Sequence, residues 1–186
     1  MVYAKTVRSA HSIHGVDPQH LVEKIVRERI YESAFFREKC DTLDFQKVLM
    51  LSTKLDHIGG TFSNTKPVPF ICLVLKLLQI QPSEECLSKL FDSSCKYSVA
   101  LGLFYYRMIF DAKDCYEKIE KYYVDYRKLK VRNADGTFSI IYMDEFADNL
   151  LTCDRVFGIV LPRISKREFL EDRNELSVRK PLIDFN

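Results

Sequence analysis

No apolar run in the chain approaches the roughly 20 residues that a membrane-spanning helix needs, and the opening "MVYAKTVRSAHSIHG" lacks the apolar stretch of a secretory signal. An intracellular protein with no membrane partner is expected. Charge of one sign is equally scarce. The 28 basic and 26 acidic residues leave a formal net charge of +2 over 186 residues, so no global field draws in nucleic acid or an anionic surface. Any such binding has to be local. The cysteines, Cys40, Cys72, Cys86, Cys95, Cys115 and Cys153, form no CxxC pair and have no neighbouring His at zinc-finger spacing. Most sit among apolar residues, as in "FICLVL", and read as buried, reduced thiols. Internal repeats and low-complexity tracts are missing as well.

Catalytic signatures are also absent. "GGTFSNTKP" suggests a phosphate loop, but a Walker sequence needs Gly-Lys-Ser/Thr opening a helix, and here Pro67 follows Lys66 with no glycine before it. Neither GxSxG nor HExxH occurs, and Asp144, Glu145 and Asp148 read as a helix start complementing its dipole. His11, His14 and His20 gather ahead of a charged helical pattern, yet no carboxylate or cysteine completes a ligand set around them. The chain therefore reads as no enzyme, with no catalytic residue, no cofactor and no metal.

What is present is a globular composition, 47% apolar and 29% charged, enough for one ordinary core. Asp17 and Pro18 predict a helix running to about Ser33, with Leu21, Val22, Ile25, Val26 and Ile30 on one side. A second helix is predicted from about Asp44 to Ile58, stopped by Gly59 and Gly60, with a loop to Pro67. "PFICLVLKLLQIQP", apolar nearly all round, predicts a central buried helix. "PSEECLSKLF", capped by Ser83, "KYSVALGLFYYRMIF" and "AKDCYEKIEKYYVDYRKL" continue the helical series. Asp135-Gly136 between short β-branched and aromatic runs then signals a hairpin. Asp144 is expected to cap the next helix, and one or two more surround Pro162. The expected fold is mainly α, a single compact multi-helix domain over 1–186 with one small β-hairpin and about ten flexible residues at each end.

Two surfaces invite a partner. On the first helix Glu23, Lys24, Arg27, Glu28 and Arg29 oppose the apolar stripe, either as a solvated face with pairs such as Glu23 to Arg27 or as a docking face. In "RKLKVR", Arg127, Lys128, Lys130 and Arg132 crowd the entry to the hairpin, as a charge run protecting a sheet edge or as an RNA contact. The tyrosines from Tyr105 to Tyr126 interleave with basic residues as a base-stacking surface does. The helical face shared by Tyr116, Ile119 and Tyr123, with Cys115, Tyr122 and Tyr126 beside them, favours packing.

Taken in order, "AHSIHGVDPQHLVEKIVRERIYES", "KPVPFICLVLKLLQIQP", "DCYEKIEKYYVDYRKLK", the hairpin, "DEFADNLL" and "IVLPRIS" resemble the pre-mRNA-splicing factor 38 family, from about Ala10 to Leu170. The resemblance implies a nuclear, non-enzymatic spliceosome component of mostly helical fold, tied to the tri-snRNP or the precatalytic complex. It implies a need for the protein in spliceosome activation, when U4/U6 pairing is unwound and U4 is released. It also implies other spliceosomal proteins as partners, including a zinc-finger protein and a microfibril-associated-protein-like factor, with a weak RNA contact through the basic hairpin as the alternative. The family pattern commonly has a basic and a small residue where this chain has Ser98 and Leu103. Many relatives continue past the position of Asn186 into a charged or Arg/Ser-rich tail.

Overall fold

The computed structural model describes residues 6–7, 10–40, 44–63 and 65–179. Helix dominates, and its centre is α3, Pro69–Ile80, in which every residue from Phe70 to Gln79 is buried. Pro69 stands in the first turn, where a missing N–H is harmless. Gln81, at φ 49°, ends the helix by donating its N–H to the Leu77 carbonyl. A helix apolar on all sides has to be surrounded. It is enclosed by α1 (Lys24–Glu32), α2 (Phe45–Ser52) and α5 (Lys96–Ile109). Beyond α5 lie α4 (Glu84–Phe91), α6 (Ala112–Ile119) and α7 (Met143–Thr152).

The first predicted helix is two elements. Asp17 caps only a 3-10 turn, Pro18–Leu21, accepting from the Gln19 N–H at 3.1 Å. The chain then extends through Val22, which is fully buried, and α1 starts at Lys24. This restart resets the helical phase. Ile30 still enters the core, but Ile25, expected on the apolar stripe, is 63% exposed. The second helix also ends early, at Ser52. Ile58–Gly59 forms a short strand, β1, instead. A tertiary pairing overrides the helical period here, because fully buried Ile58 lies parallel to Val131 in the hairpin.

The hairpin itself is present as β4 (Lys128–Arg132) and β5 (Phe138–Tyr142), antiparallel and in register from Lys128 opposite Tyr142 to Arg132 opposite Phe138. Its loop is closed by Gly136 N–H to Asn133 O, with Gly136 at φ 91° and Thr137 bonded to the Asp135 carboxylate. One hairpin was expected, yet the described residues hold three small sheets. The others are the ribbons β2 (Thr61–Phe62) with β3 (Lys66–Pro67) and β6 (Arg155–Val156) with β7 (Ile159–Val160). Two-residue strands carry no readable period. The ribbons meet where Gly60 packs on Phe157: a Cβ on Gly60 would lie 1.8 Å from the Phe157 carbonyl oxygen.

Asp144 does not cap α7. Tyr142, the last residue of the hairpin, holds the cap position, and its N–H donates to Glu145 Oε2 at 2.7 Å, so strand and helix share a residue. Among the described residues after Pro162 there is one short helix, α8 (Arg167–Asp172). Of the ends expected to be flexible, residues 1–5, 8–9 and 180–186 lie outside the described residues. Val7 donates its N–H to the Gln79 carbonyl, which ties this part of the chain to α3.

Candidate interaction surface

His11, His14 and His20 are all exposed, and no group of three or more His, Cys, Asp or Glu able to hold a metal occurs among the described residues. The His11 segment is instead held to the end of α3, with the His11 N–H on Gln81 Oε1 at 2.6 Å and Gln81 Nε2 on the His11 carbonyl at 3.2 Å. The cysteines are free thiols. Burial pushes Cys40 and Cys115 up to about 12, and Cys72 higher still. The expectation of burial fails for Cys153, which is exposed, and only partly holds for Cys86 and Cys95. The tyrosines mostly pack, Tyr105 fully, but Tyr126 is 56% exposed.

Arg27 and Arg29 lie half-buried on α1. Glu23 pairs with Arg155 Nη1 at 3.4 Å, in place of the expected pair with Arg27. Arg27 sits beside Tyr31, whose hydroxyl is pushed up by burial, against the pull of the guanidinium. α1 as a whole packs mainly against β3, the turn Phe36–Cys40 and α3.

The hairpin residues do come together, though not as a free cationic strip. Arg127 folds onto Asp125, with Nη2 2.6 Å from Oδ2 and Nε 2.9 Å from Oδ1. Its charge is thereby neutralised. Leu129 and Val131 point into the core, so Lys128, Lys130 and Arg132 face outward. Each stands directly across from Tyr142, Ile140 or Phe138. Lys130 Nζ lies 4.0 Å from the Phe138 ring centre, and Arg132 lies between the Phe62 and Phe138 rings at 4.5 and 4.3 Å. Lys96, at the start of α5, donates to the Lys128 carbonyl at 2.5 Å, while the Lys130 N–H reaches the Tyr97 hydroxyl. A cavity of about 300 Å³ opens between them. Reasoning from sequence missed Phe138, Ile140 and Tyr142 as part of this surface. The signal was their alternation in "FSIIY", which puts three large apolar side chains on the solvent face.

Comparison with known proteins fixes the family. The model of the PRP38 family matches residues 11–174. The chain belongs to the PRP38 family. It is 46% identical to pre-mRNA-splicing factor 38A of Xenopus laevis over 94% of the chain, 45% to that of Homo sapiens over the same share, and 43% to pre-mRNA-splicing factor 38 of Drosophila melanogaster over 97%. The chain spans 55–57% of the length of these relatives. Among solved structures it matches a chain of the Snu23-Prp38-MFAP1(217-258) complex of Chaetomium thermophilum, with a TM-score of 0.88 and 37% identity, covering 95% of this PRP38 chain and 94% of that one. The helical fold that the sequence implied is the fold of that structure.

Proposed function

We propose that this chain is a non-enzymatic protein-interaction scaffold of the spliceosome, working in the nucleus at the activation step in which U4/U6 pairing is unwound and U4 is released. The observation that carries the reading is the match, over nearly the whole of both chains, to a fold solved in complex with Snu23 and a segment of MFAP1. Counterparts of those two proteins, in the tri-snRNP or the precatalytic complex, are the proposed partners. RNA binding through the basic hairpin is the second reading, motivated by outward-facing Lys128, Lys130 and Arg132. With Arg127 held by Asp125, three cations remain, which for single strands gives a salt slope no steeper than about 2. Such binding is weak at physiological salt.

Splicing extract depleted of the endogenous protein tests the reading, with add-back of the wild-type chain or of variants reversing Arg27 and Arg29, or Lys128, Lys130 and Arg132. Stalling after tri-snRNP joining and before U4 release, in step with loss of protein association, is expected. Nanomolar RNA affinity at physiological salt, abolished by the hairpin changes while protein contacts survive, would make RNA binding the primary activity.

A further inference from the structure

The strand order β1-β4-β5 leaves β5 at the edge of its sheet. The bonds from Asn133 N–H to Thr137 O and from Met143 N–H to Arg127 O fix the alternation of the ladder. Val131 therefore exchanges bonds with Ser139, and Leu129 with Ile141, so the backbone N–H and C=O groups of Phe138 and Ile140 point to the open side. The Tyr142 N–H is already taken by Glu145. Edge strands are ordinarily blunted by charge or proline. None of the five residues "FSIIY" of β5 is charged or a proline. Phe138 is 45% exposed and Ile140 64%, so this edge is apolar, uncharged and in want of a cover.

The surroundings select the cover. The cavity beside Lys96 and Tyr97 opens on the side of β4 away from this edge, but on the shared outward face Lys128 and Lys130 lean over the rings of Tyr142 and Phe138, at 6.0 and 4.0 Å. Lys130 leans across Phe138 and carries its charge toward the edge. The nearby Asp56 carboxylate is hydrogen-bonded to His57 at 2.6 Å. A nucleic acid strand suits this surface poorly. Lys130 and Arg132 already lie over the Phe138 ring that a base would stack on, and the most exposed side chain, Ile140, is aliphatic.

We propose that the β5 edge takes an extended acidic segment of a partner protein as an added strand, with its backbone on Phe138 and Ile140, its apolar side chains against theirs, and its carboxylates on Lys128 and Lys130. The inference rests on the scaffold reading for the nature of the partner. Peptide titration on the purified chain tests the surface alone, whereas depletion and add-back tests the scaffold role, so the two fail separately.

The probe is a synthetic peptide in which every second residue is threonine and the residues between are in turn glutamate and isoleucine or tyrosine, so that acid and apolar side chains share one face of the strand, titrated by fluorescence anisotropy at physiological salt. Expected results are saturable binding, at least tenfold weaker with Ile140→Lys or Lys130→Glu, and at least tenfold weaker again for a probe whose central glutamates are replaced by proline, which removes backbone donors. The amide resonances of Phe138 and Ile140 should shift on binding. Equal affinity for wild type and Ile140→Lys overturns the proposal, as does a proline probe that binds undiminished. Two further results also overturn it: displacement of the probe by a tighter-binding oligouridylate, and a stable dimer in light scattering that Ile140→Lys dissolves, which makes a second copy the occupant.

Discussion

At the scale of single residues, Ser98 and Leu103 of α5 belong to the core. Ser98 is fully buried and shares a 2.7 Å hydrogen bond with the Ser52 hydroxyl, which joins α5 to α2. Leu103 is fully buried as well. Neither side chain reaches the surface of the described residues. Ser98→Ala should cost about 1 kcal/mol, the net worth of one buried hydrogen bond, seen as a lower urea midpoint, with protein association unchanged. Asp125 carries the second prediction at this scale. Burial pushes its carboxyl up, but the side chain and backbone N–H of Arg127 outweigh that and hold it below the ordinary value of 3.8. A carboxyl lowered in the folded state contributes stability that is fully present above its unfolded value and is lost as the pH falls through the folded one. Stability measured by urea unfolding should thus be level between about pH 5 and about pH 8 and fall below about pH 4. Asp125→Asn should flatten part of that fall.

At the scale of elements, the sequence is legible where local chemistry decides and opaque where distant contacts do. The run between Pro69 and Gln81, apolar but for Lys76 and Gln79, reads as a buried helix, and Asp135-Gly136 between "KLKVR" and "FSIIY" reads as a hairpin. The outward alternation of Phe138, Ile140 and Tyr142 followed from the same strand once its inner face was known. By contrast, the break at Val22 and the strand at Ile58 depend on burial and on a pairing with Val131, far along the chain. No local period records them. Nor does the sequence reveal that Arg127 is spent on Asp125, since Arg127 reads as part of a solvated charge run and Asp125 as part of the helical pattern before it. The ribbon contact at Gly60 is another such nonlocal feature. A methyl group there meets the Phe157 backbone, which cannot yield as a flexible side chain would. Gly60→Ala should therefore destabilise by roughly 3 kcal/mol, the upper end for overpacking. The shift in thermal midpoint by calorimetry measures this, and a change under about 0.5 kcal/mol, typical of neutral surface sites, would contradict the close approach.

At the scale of the whole molecule, a net charge of +2 and a folded hairpin whose cations are shared with carboxylate and rings argue against RNA as the principal partner. Rigid mounting argues for proteins. β4 is anchored by Leu129 and Val131 in the core, and β5 runs directly into α7, so the outward face is presented with little ordering cost on binding. The most direct measurement of the account's central claim is lysine crosslinking with mass spectrometry on purified precatalytic spliceosomes, read beside ultraviolet crosslinking to RNA in the same particles. The account predicts protein crosslinks from Lys128 and Lys130, lost with Ile140→Lys, and no RNA adducts on β4 or β5. RNA adducts on the hairpin, with those lysines free of protein crosslinks, would contradict it.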